Sequence, residues 1–576
     1  MLYAHRVSRP DAAPAARFPE GAWFSVVGNV RLGAGGQTRM VLLRHRLFLR
    51  AGLDFPILTY NPVASYDPIR AGLLADGLLL PHSRLLNLHE DLRERDLTGQ
   101  PGEATTVEAA GAVEDVEDGY TWRRRLLDDD GRETAWEYLR RDGSVYAVTP
   151  ADRMDGPTRV LDRDGGVVLE TDGLGGLWRW WTQQLVPADG PVFLVSDSRF
   201  VAEELGLLDD PRIVLMHQMH NPHLRGDRHW DSPIEPSYAA SLEHVDRLDS
   251  LNTLTERQRD DLRLRFGHLD QFEVIANPVE AVPVPQPRPA RVPGRIVVIA
   301  RLHPQKHLEA AVEAFALVAA EHATATLEVY GDGDREDALR ELARDRGVAG
   351  RVTFHGHDPH AAEQLWSADL AWLTSRFEGY GLFLLEARVR ECPVLAFDVP
   401  YGPAEQIDTG VDGVLVPAGD TAALARATLD LFADRDRLEA MRAPARAGAL
   451  AHGHGSFLAD WARVAAAAWD RKPTRVRLAG VSARISGRTA VVRVDADRVP
   501  HDAVLRWQAW HDGDDAPLDL TTQVRHAGPV LTITADPAPE GTHERLLLAW
   551  HNASWQQELP PRRRWRGWPR GGRPRR

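Results

Sequence analysis

Two periods of hydrophobic spacing alternate along residues 281–470. "RIVVIA", "TLEVYG", "VTFHG", "DLAWLTS", "PVLAF" and "GVLVPAGD" are short, mostly apolar runs, the pattern of strands covered on both faces. Between them, "LEAAVEAFALVAAEH", the stretches near 334–345 and 360–367, "LFLLEARVR" and the segment 421–447 space their apolar residues as helices do. Alternation of this kind predicts βαβ units and a doubly wound parallel sheet. Residues 1–280 repeat the theme through "WFSVVGNV", "GPVFLVSDS", "IVLMHQMHN" and "FEVIANPV", and so predict a second Rossmann-like domain.

The texture changes in three places. At about 103–175 short alternating runs are broken by Asp-Gly pairs, which predicts a β-meander inserted in the first α/β domain. "NPVEAVPVPQPRPARVPG", residues 277–294, holds six prolines and reads as an extended linker between the two domains. From 474 to 560 short antiparallel runs return and predict a small β-sandwich, followed by a tail at 561–576. The fold class is therefore α/β: two doubly wound domains facing a cleft, with a β insertion and a C-terminal β module.

Composition narrows the setting. At 576 residues the chain exceeds what one core supports. No apolar run reaches the roughly 18–20 residues of a membrane helix, and the first residues lack the apolar stretch of a secretory signal. A single cysteine, Cys392, excludes an intrachain disulfide and a multi-cysteine metal site. These features predict a cytoplasmic protein. A net charge of −14 argues against nucleic acid as a partner. Against that charge, residues 562–576 carry eight arginines and no acid. Such a tail reads either as drift at an unconstrained terminus or as an arm for an anionic membrane or polymer. Of 69 basic residues only Lys306 and Lys472 are lysines, so a lysine at a strand end was specifically wanted.

Chemistry gathers at the predicted strand ends, where ligands bind in open α/β sheets. Arg301 and Lys306 follow "RIVVIA" and could grip a diphosphate, one as a planar fork and one as a point charge. "RFEGYGLFLLEARVREC" sets Glu378, Gly379, Tyr380 and Gly381 in a strand-to-helix loop, with Leu382 starting the helix and Glu386 one turn in. Glycines let a backbone approach a ligand, and a helix start suits phosphate. Glu386 is then placed for sugar hydroxyls and Glu378 for the transferred group. Alone, the pair reads equally well as a helix cap and a wet-face glutamate; with the two cations it reads as a nucleotide-sugar site. "VLMHQMHNPH" adds His217, His220 and His223, a spacing that fits a metal poorly because no acid stands nearby in sequence.

These residues resemble the retaining glycosyltransferases of family 4, which have the GT-B fold. Glu378 and Glu386 match their E-x7-E signature, and Arg301 and Lys306 match their cation pair. "GAGGQTRM", with Gly35 and Gly36, matches the glycine loop beside the cleft, and the likeness spans residues 20–470. It implies that Glu386 holds the nucleotide ribose and that the loop amides hold the diphosphate. It also implies that Glu378 meets the donor sugar, that His220, or else His217, lies at the reaction centre, and that His355 is near the base.

The meander and "SLEHVDRLDSLNTLTERQRDDL" look like the poly(glycerol-phosphate) and poly(ribitol-phosphate) α-glycosyltransferases of wall teichoic acid, in which such an insertion serves oligomerisation or acceptor binding. The implied reaction moves a hexose from a UDP-sugar, as donor substrate, to a hydroxyl of a polymeric or lipid-linked acceptor, with retention and with neither metal nor cofactor. A non-catalytic GT-B partner or chaperone subunit is the rival reading, and such a subunit would be expected to have lost the carboxylates or cations; a glycosyltransferase acting on a protein or a lipid-linked glycan is the other alternative.

Overall fold

The computed structural model describes residues 16–33, 35–99, 109–151, 156–496, 503–527 and 529–559. The chain divides into two units, Met1–Arg228 with Pro233–Asp260 and Gln271–Pro473, and His229–Ser232 with Asp261–Asp270 and Thr474–Arg576. The arginine-rich tail lies outside the described residues.

The first unit holds two parallel sheets. In one, seven strands run in the spatial order Phe272–Val274, Ser250–Thr253, Ile213–Gln218, Val192–Ser196, Ala22–Val27, Ile57–Thr59, Leu85–Asn87. In the other, six run in the order Val352–Gly356, Thr326–Tyr330, Arg295–Ile299, Leu370–Leu373, Val394–Asp398, Gly413–Pro417. All neighbours in both sheets are parallel. Each sheet thus has a point where successive crossovers leave toward opposite edges, and a crevice opens there outside the strand ends. In the first sheet it lies between Ala22–Val27 and Val192–Ser196; in the second, between Arg295–Ile299 and Leu370–Leu373.

The helix His454–Arg471 departs from the boundaries expected from sequence. Its Phe457, Trp461, Val464, Ala465 and Ala468 are buried with Trp23, Phe48, Phe193 and Met216 of the first sheet's core. The chain therefore returns, after the second sheet, to cover the first. An apolar stripe on a terminal helix does not say which sheet it covers. The 360–367 segment is a short 3-10 helix, Ala361–Trp366. The insertion is a six-stranded antiparallel sheet from Gly111–Glu117 to Val167–Asp172. Among the described residues no helix is long and apolar enough to cross a membrane.

The second unit is built on two four-stranded antiparallel sheets whose inward residues, among them Val492, Ile533, Trp507 and Leu546, form one core. Arg545 lies 5.4 Å from the rings of both Trp230 and Trp510, and burial pushes its guanidinium down to about 10.

Candidate active site

Two loops interlock at the switch point of the second sheet. The loop after Arg295–Ile299 carries Arg301 and Lys306; the loop after Leu370–Leu373 carries Ser375 to Gly381. Backbone and side-chain bonds tie them together: Arg376 N–H donates to the Gln305 carbonyl at 2.8 Å, Thr374 Oγ1 to the Lys306 carbonyl at 3.1 Å, and Gln305 Nε2 to the Phe377 carbonyl at 3.1 Å. This lacing fixes where the Lys306 ammonium points. It donates to Glu378 Oε1 at 2.6 Å, and Ser375 Oγ donates to the same oxygen at 2.6 Å. Glu378 is only 5% exposed.

Here the structure revises the expectation. Lys306 is no second free cation beside Arg301; it neutralises Glu378, and its remaining donors are what a ligand could meet. Arg301 is exposed and has no ion pair or side-chain hydrogen bond among the described residues. Glu386 lies in the helix Leu382–Arg388, half-buried, and its carboxylate likewise has no partner. Burial pushes its carboxyl above the usual glutamate range, against the opposing charges of Arg39 and Arg390.

The glycines bring the two sheets' loops together. A Cβ on Gly379 would overlap the His220 carbonyl oxygen, and one on Gly36 would stand 3.3 Å from Leu382 Cδ1. Gly381 sits at φ +86°, before the helix, a conformation that disfavours any side chain. Gly35 precedes the helix Gly36–Arg50 and meets nothing that a Cβ would disturb. Tyr380 is buried; its hydroxyl is 3.2 Å from His452 Nδ1, and its carbonyl accepts from Gln406 Nε2 at 2.5 Å.

At the first sheet's switch point stands a cluster that the sequence reading missed. Asp197 follows Val192–Ser196 directly and is fully buried with Arg44, whose guanidinium bonds both carboxylate oxygens. His220 Nε2 lies 2.7 Å from Asp197 Oδ1. Burial alone would push the Asp197 carboxyl up; the Arg44 charge and the His220 bond outweigh it and hold it below the usual range. An ionised carboxylate only accepts, so His220 Nε2 carries the proton. Gln37, in the helix after the glycine loop, donates to the Asp197 carbonyl at 2.6 Å. The signal was present in "VSDS" and "MVLLRHRLF": an acid directly after a buried strand, and an arginine among apolar helix positions.

The other two histidines separate from it. His217 is sealed in, with Nδ1 3.1 Å from the Ser196 carbonyl; burial pushes it down to about 4, which leaves it neutral. His223 is buried with its ring parallel to Tyr401. His355 is on the edge strand Val352–Gly356, stacked 4.2 Å from Tyr330, with Nε2 3.4 Å from Glu328. Side chains on an edge strand are set by local packing, which a motif cannot report. Among the described residues no group of three or more His, Cys, Asp or Glu could hold a metal.

Residues 293–434, which include Arg301, Lys306, Glu378 and Glu386, match the family Glycosyl transferases group 1. A Streptomyces coelicolor protein named exopolysaccharide phosphotransferase SCO2592 is 30% identical over 301 residues, 52% of this chain and 31% of its own length. Bacillus subtilis poly(glycerol-phosphate) alpha-glucosyltransferase is 26% identical over 247 residues, 42% of this chain and 36% of its own. The chain thus spans about a third of the length of these curated relatives. Among solved structures, TarM superposes with a TM-score of 0.66 at 18% identity, over 78% of this chain and 99% of TarM. The pneumococcal O-GlcNAc transferase GtfA, in complex with UDP and GlcNAc, does so at 0.60 and 16% identity, over 78% and 99%. The fold is GT-B.

Proposed function

We propose that this chain is a retaining glycosyltransferase that moves a hexose from a UDP-sugar to a hydroxyl of a cell-wall glycopolymer of the teichoic type. The observation that carries the reading is the pairing of Lys306 with Glu378 at the second sheet's switch point, on the two loops that also lead to Arg301 and Glu386, whose side chains have no partner among the described residues. A cation left unpaired after one strand and a carboxylate left unpaired in the helix after the next are groups that a ligand would satisfy. The UDP in the GtfA complex and the glycerol-phosphate polymer in the Bacillus relative's name support the choice of donor and acceptor.

In this reading Glu386 accepts from ribose hydroxyls, while Arg301 and the spare donors of Lys306 meet the diphosphate as its charge grows. Preorganised donors of this kind contribute several kcal/mol to a transition state. Glu378, held by Lys306 and Ser375, faces the donor sugar, and His220 stands on the acceptor side with its Nε2 proton engaged by Asp197. The attacking hydroxyl approaches the face that the diphosphate leaves, and the departing oxygen takes its proton. The enzyme works at the inner membrane face, held there by its arginine tail, and the β-meander joins copies of the chain.

Calorimetric titration with UDP, GDP and ADP, followed by NMR of the anomer released from each donor, tests the proposal. Binding of UDP with release of the α-anomer supports it. No nucleotide binding would turn the reading toward a non-catalytic partner subunit. Deleting residues 562–576 should leave donor hydrolysis intact and abolish salt-sensitive co-sedimentation with anionic vesicles.

A further inference from the structure

The C-terminal β module has no part in the donor site, yet one of its faces is unlike the other exposed sheet faces of this chain. In the sheet Leu478–Ser486, Thr489–Ala496, Val530–Ala535, Thr522–Ala527, alternate residues point inward to the core, as Val492, Val494, Leu531 and Ile533 do. The residues between them point outward. Register places Arg484 beside Val491, Val491 beside Thr532, and Thr532 beside Arg525, one row across four strands. The next row holds Ser482, Arg493 and Val530. Arg484, Arg493 and Arg525 are all exposed, and none has an ion pair or side-chain hydrogen bond among the described residues. Among the described residues, Asp495 is the only acid at an outward position of these strands.

The β-meander shows how the same chain treats arginines on an exposed sheet when they serve the surface alone. There Arg123 pairs with Asp115 at 2.6 Å, Arg124 with Glu137 at 2.8 Å, Arg125 with Glu133 at 2.7 Å and Arg159 with Glu170 at 2.5 Å. In the module's other sheet Arg506 pairs with Asp519 at 2.6 Å. Three uncompensated arginines on one face, in a protein of net charge −14, are therefore a local exception. Neighbouring strands lie about 4.8 Å apart, so Arg484 and Arg525 stand about 14 Å from each other across the row. That span suits a linear ligand with charges at intervals better than one compact anion.

The rest of the face says which linear anion. Among the described residues it has no aromatic side chain, so it lacks the stacking platforms that hold single-stranded nucleic acid and the ring anchors that settle in a lipid interface. It offers guanidinium forks for phosphate oxygens, and Ser482, Ser486, Thr489, Thr532, Thr534 and Gln523 for hydroxyls. We propose that this face binds a polyol-phosphate chain and tethers the polymer to the enzyme. That the ligand is a polyanion follows from the face itself; that it is a polyol phosphate rests on the acceptor proposed above.

The test uses the full chain and synthetic poly(glycerol phosphate), with binding followed by fluorescence anisotropy against salt. Replacing all three arginines (R484Q, R493Q, R525Q) should weaken polymer binding at least tenfold. It should also lower the slope of log affinity against log salt by about three, one counterion for each guanidinium. The same variant should keep the parent's UDP affinity, and R159Q in the meander should bind polymer as the parent does. R493Q alone should lose part of the affinity, which guards against misfolding of the triple variant. Unchanged polymer binding by the triple variant overturns the proposal. So does equally tight binding of the parent to oligo(dT), or an equal dependence on these arginines for vesicles of phosphatidylcholine and phosphatidylglycerol. Loss of UDP binding in the parent would remove the donor reading and leave the face to be judged by the polymer alone.

Discussion

The ammonium of Lys306 and the carboxylate of Glu378 are 2.6 Å apart, seventy-two positions apart in sequence and brought together at the carboxyl ends of two adjacent parallel strands. The pair makes the spacing of the two glutamates intelligible. One is neutralised by a built-in cation; the other, Glu386, has no side-chain partner among the described residues. They are not interchangeable, and substitution should separate them.

Glu386→Ala is expected to weaken UDP binding by roughly ten- to a hundredfold, since a hydrogen bond to a charged group contributes about 1.5–3 kcal/mol. Glu378→Gln should leave UDP affinity within a few-fold and lower turnover. Titration calorimetry together with donor hydrolysis distinguishes the two, and full activity in both variants would falsify the site.

Lys306→Arg should lose at least tenfold in turnover. A guanidinium is planar and longer, and cannot present one compact ammonium to Glu378 while the Lys306 carbonyl stays bonded to Thr374. Steady-state donor hydrolysis measures it; parental rates would show that charge alone suffices there.

The Glu386 carboxyl is pushed up by burial, so in the empty protein it takes its proton at higher pH than a free glutamate, whose value is about 4.3. The ionised form accepts at both oxygens. UDP affinity should therefore fall as pH drops from 7 toward 5, and Glu386→Gln should flatten that profile. A parallel decline in the variant would assign the effect elsewhere.

Asp197 gives the opposite sign. Its folded value is depressed by Arg44 and His220, so it contributes stability above the unfolded value of about 3.9 and loses it as pH falls toward the folded value. Asp197→Asn should lower the melting temperature at pH 7 by the equivalent of about 3–5 kcal/mol, because it strands the buried Arg44 charge. The gap between variant and parent should narrow below pH 4. Ring nitrogen shifts of His220 should show that the proton is no longer fixed on Nε2.

Gly379→Ala puts a methyl group onto the His220 carbonyl. A backbone contact of this kind cannot yield as a side chain can, so a destabilisation of about 1–3 kcal/mol is expected, with a loss of turnover. Thermal melting and donor hydrolysis would read both, and a silent variant would mean that the two loops do not touch in the protein in solution.

The two parallel sheets were legible in the chain's pattern alone, because strands covered on both faces must be apolar throughout and the helices between them must be amphipathic. Arg301, Lys306, Glu378 and Glu386 were legible there as candidates, because they lie on the loops and first helical turn after apolar runs, and strand ends are where a parallel sheet leaves side chains unburied. Their partnerships were beyond it. Whether Lys306 meets a ligand or Glu378 depends on which strands are neighbours, and an order that reverses at a switch point is invisible to local periodicity. The same holds for Asp197 and Arg44, 153 positions apart, whose burial requires the whole first sheet. It holds again for the helix His454–Arg471, whose apolar stripe could have covered either sheet. Hydrophobic spacing reports which residues must leave water. Only the tertiary arrangement decides which of them meet, since that choice is made by packing between elements distant in the chain.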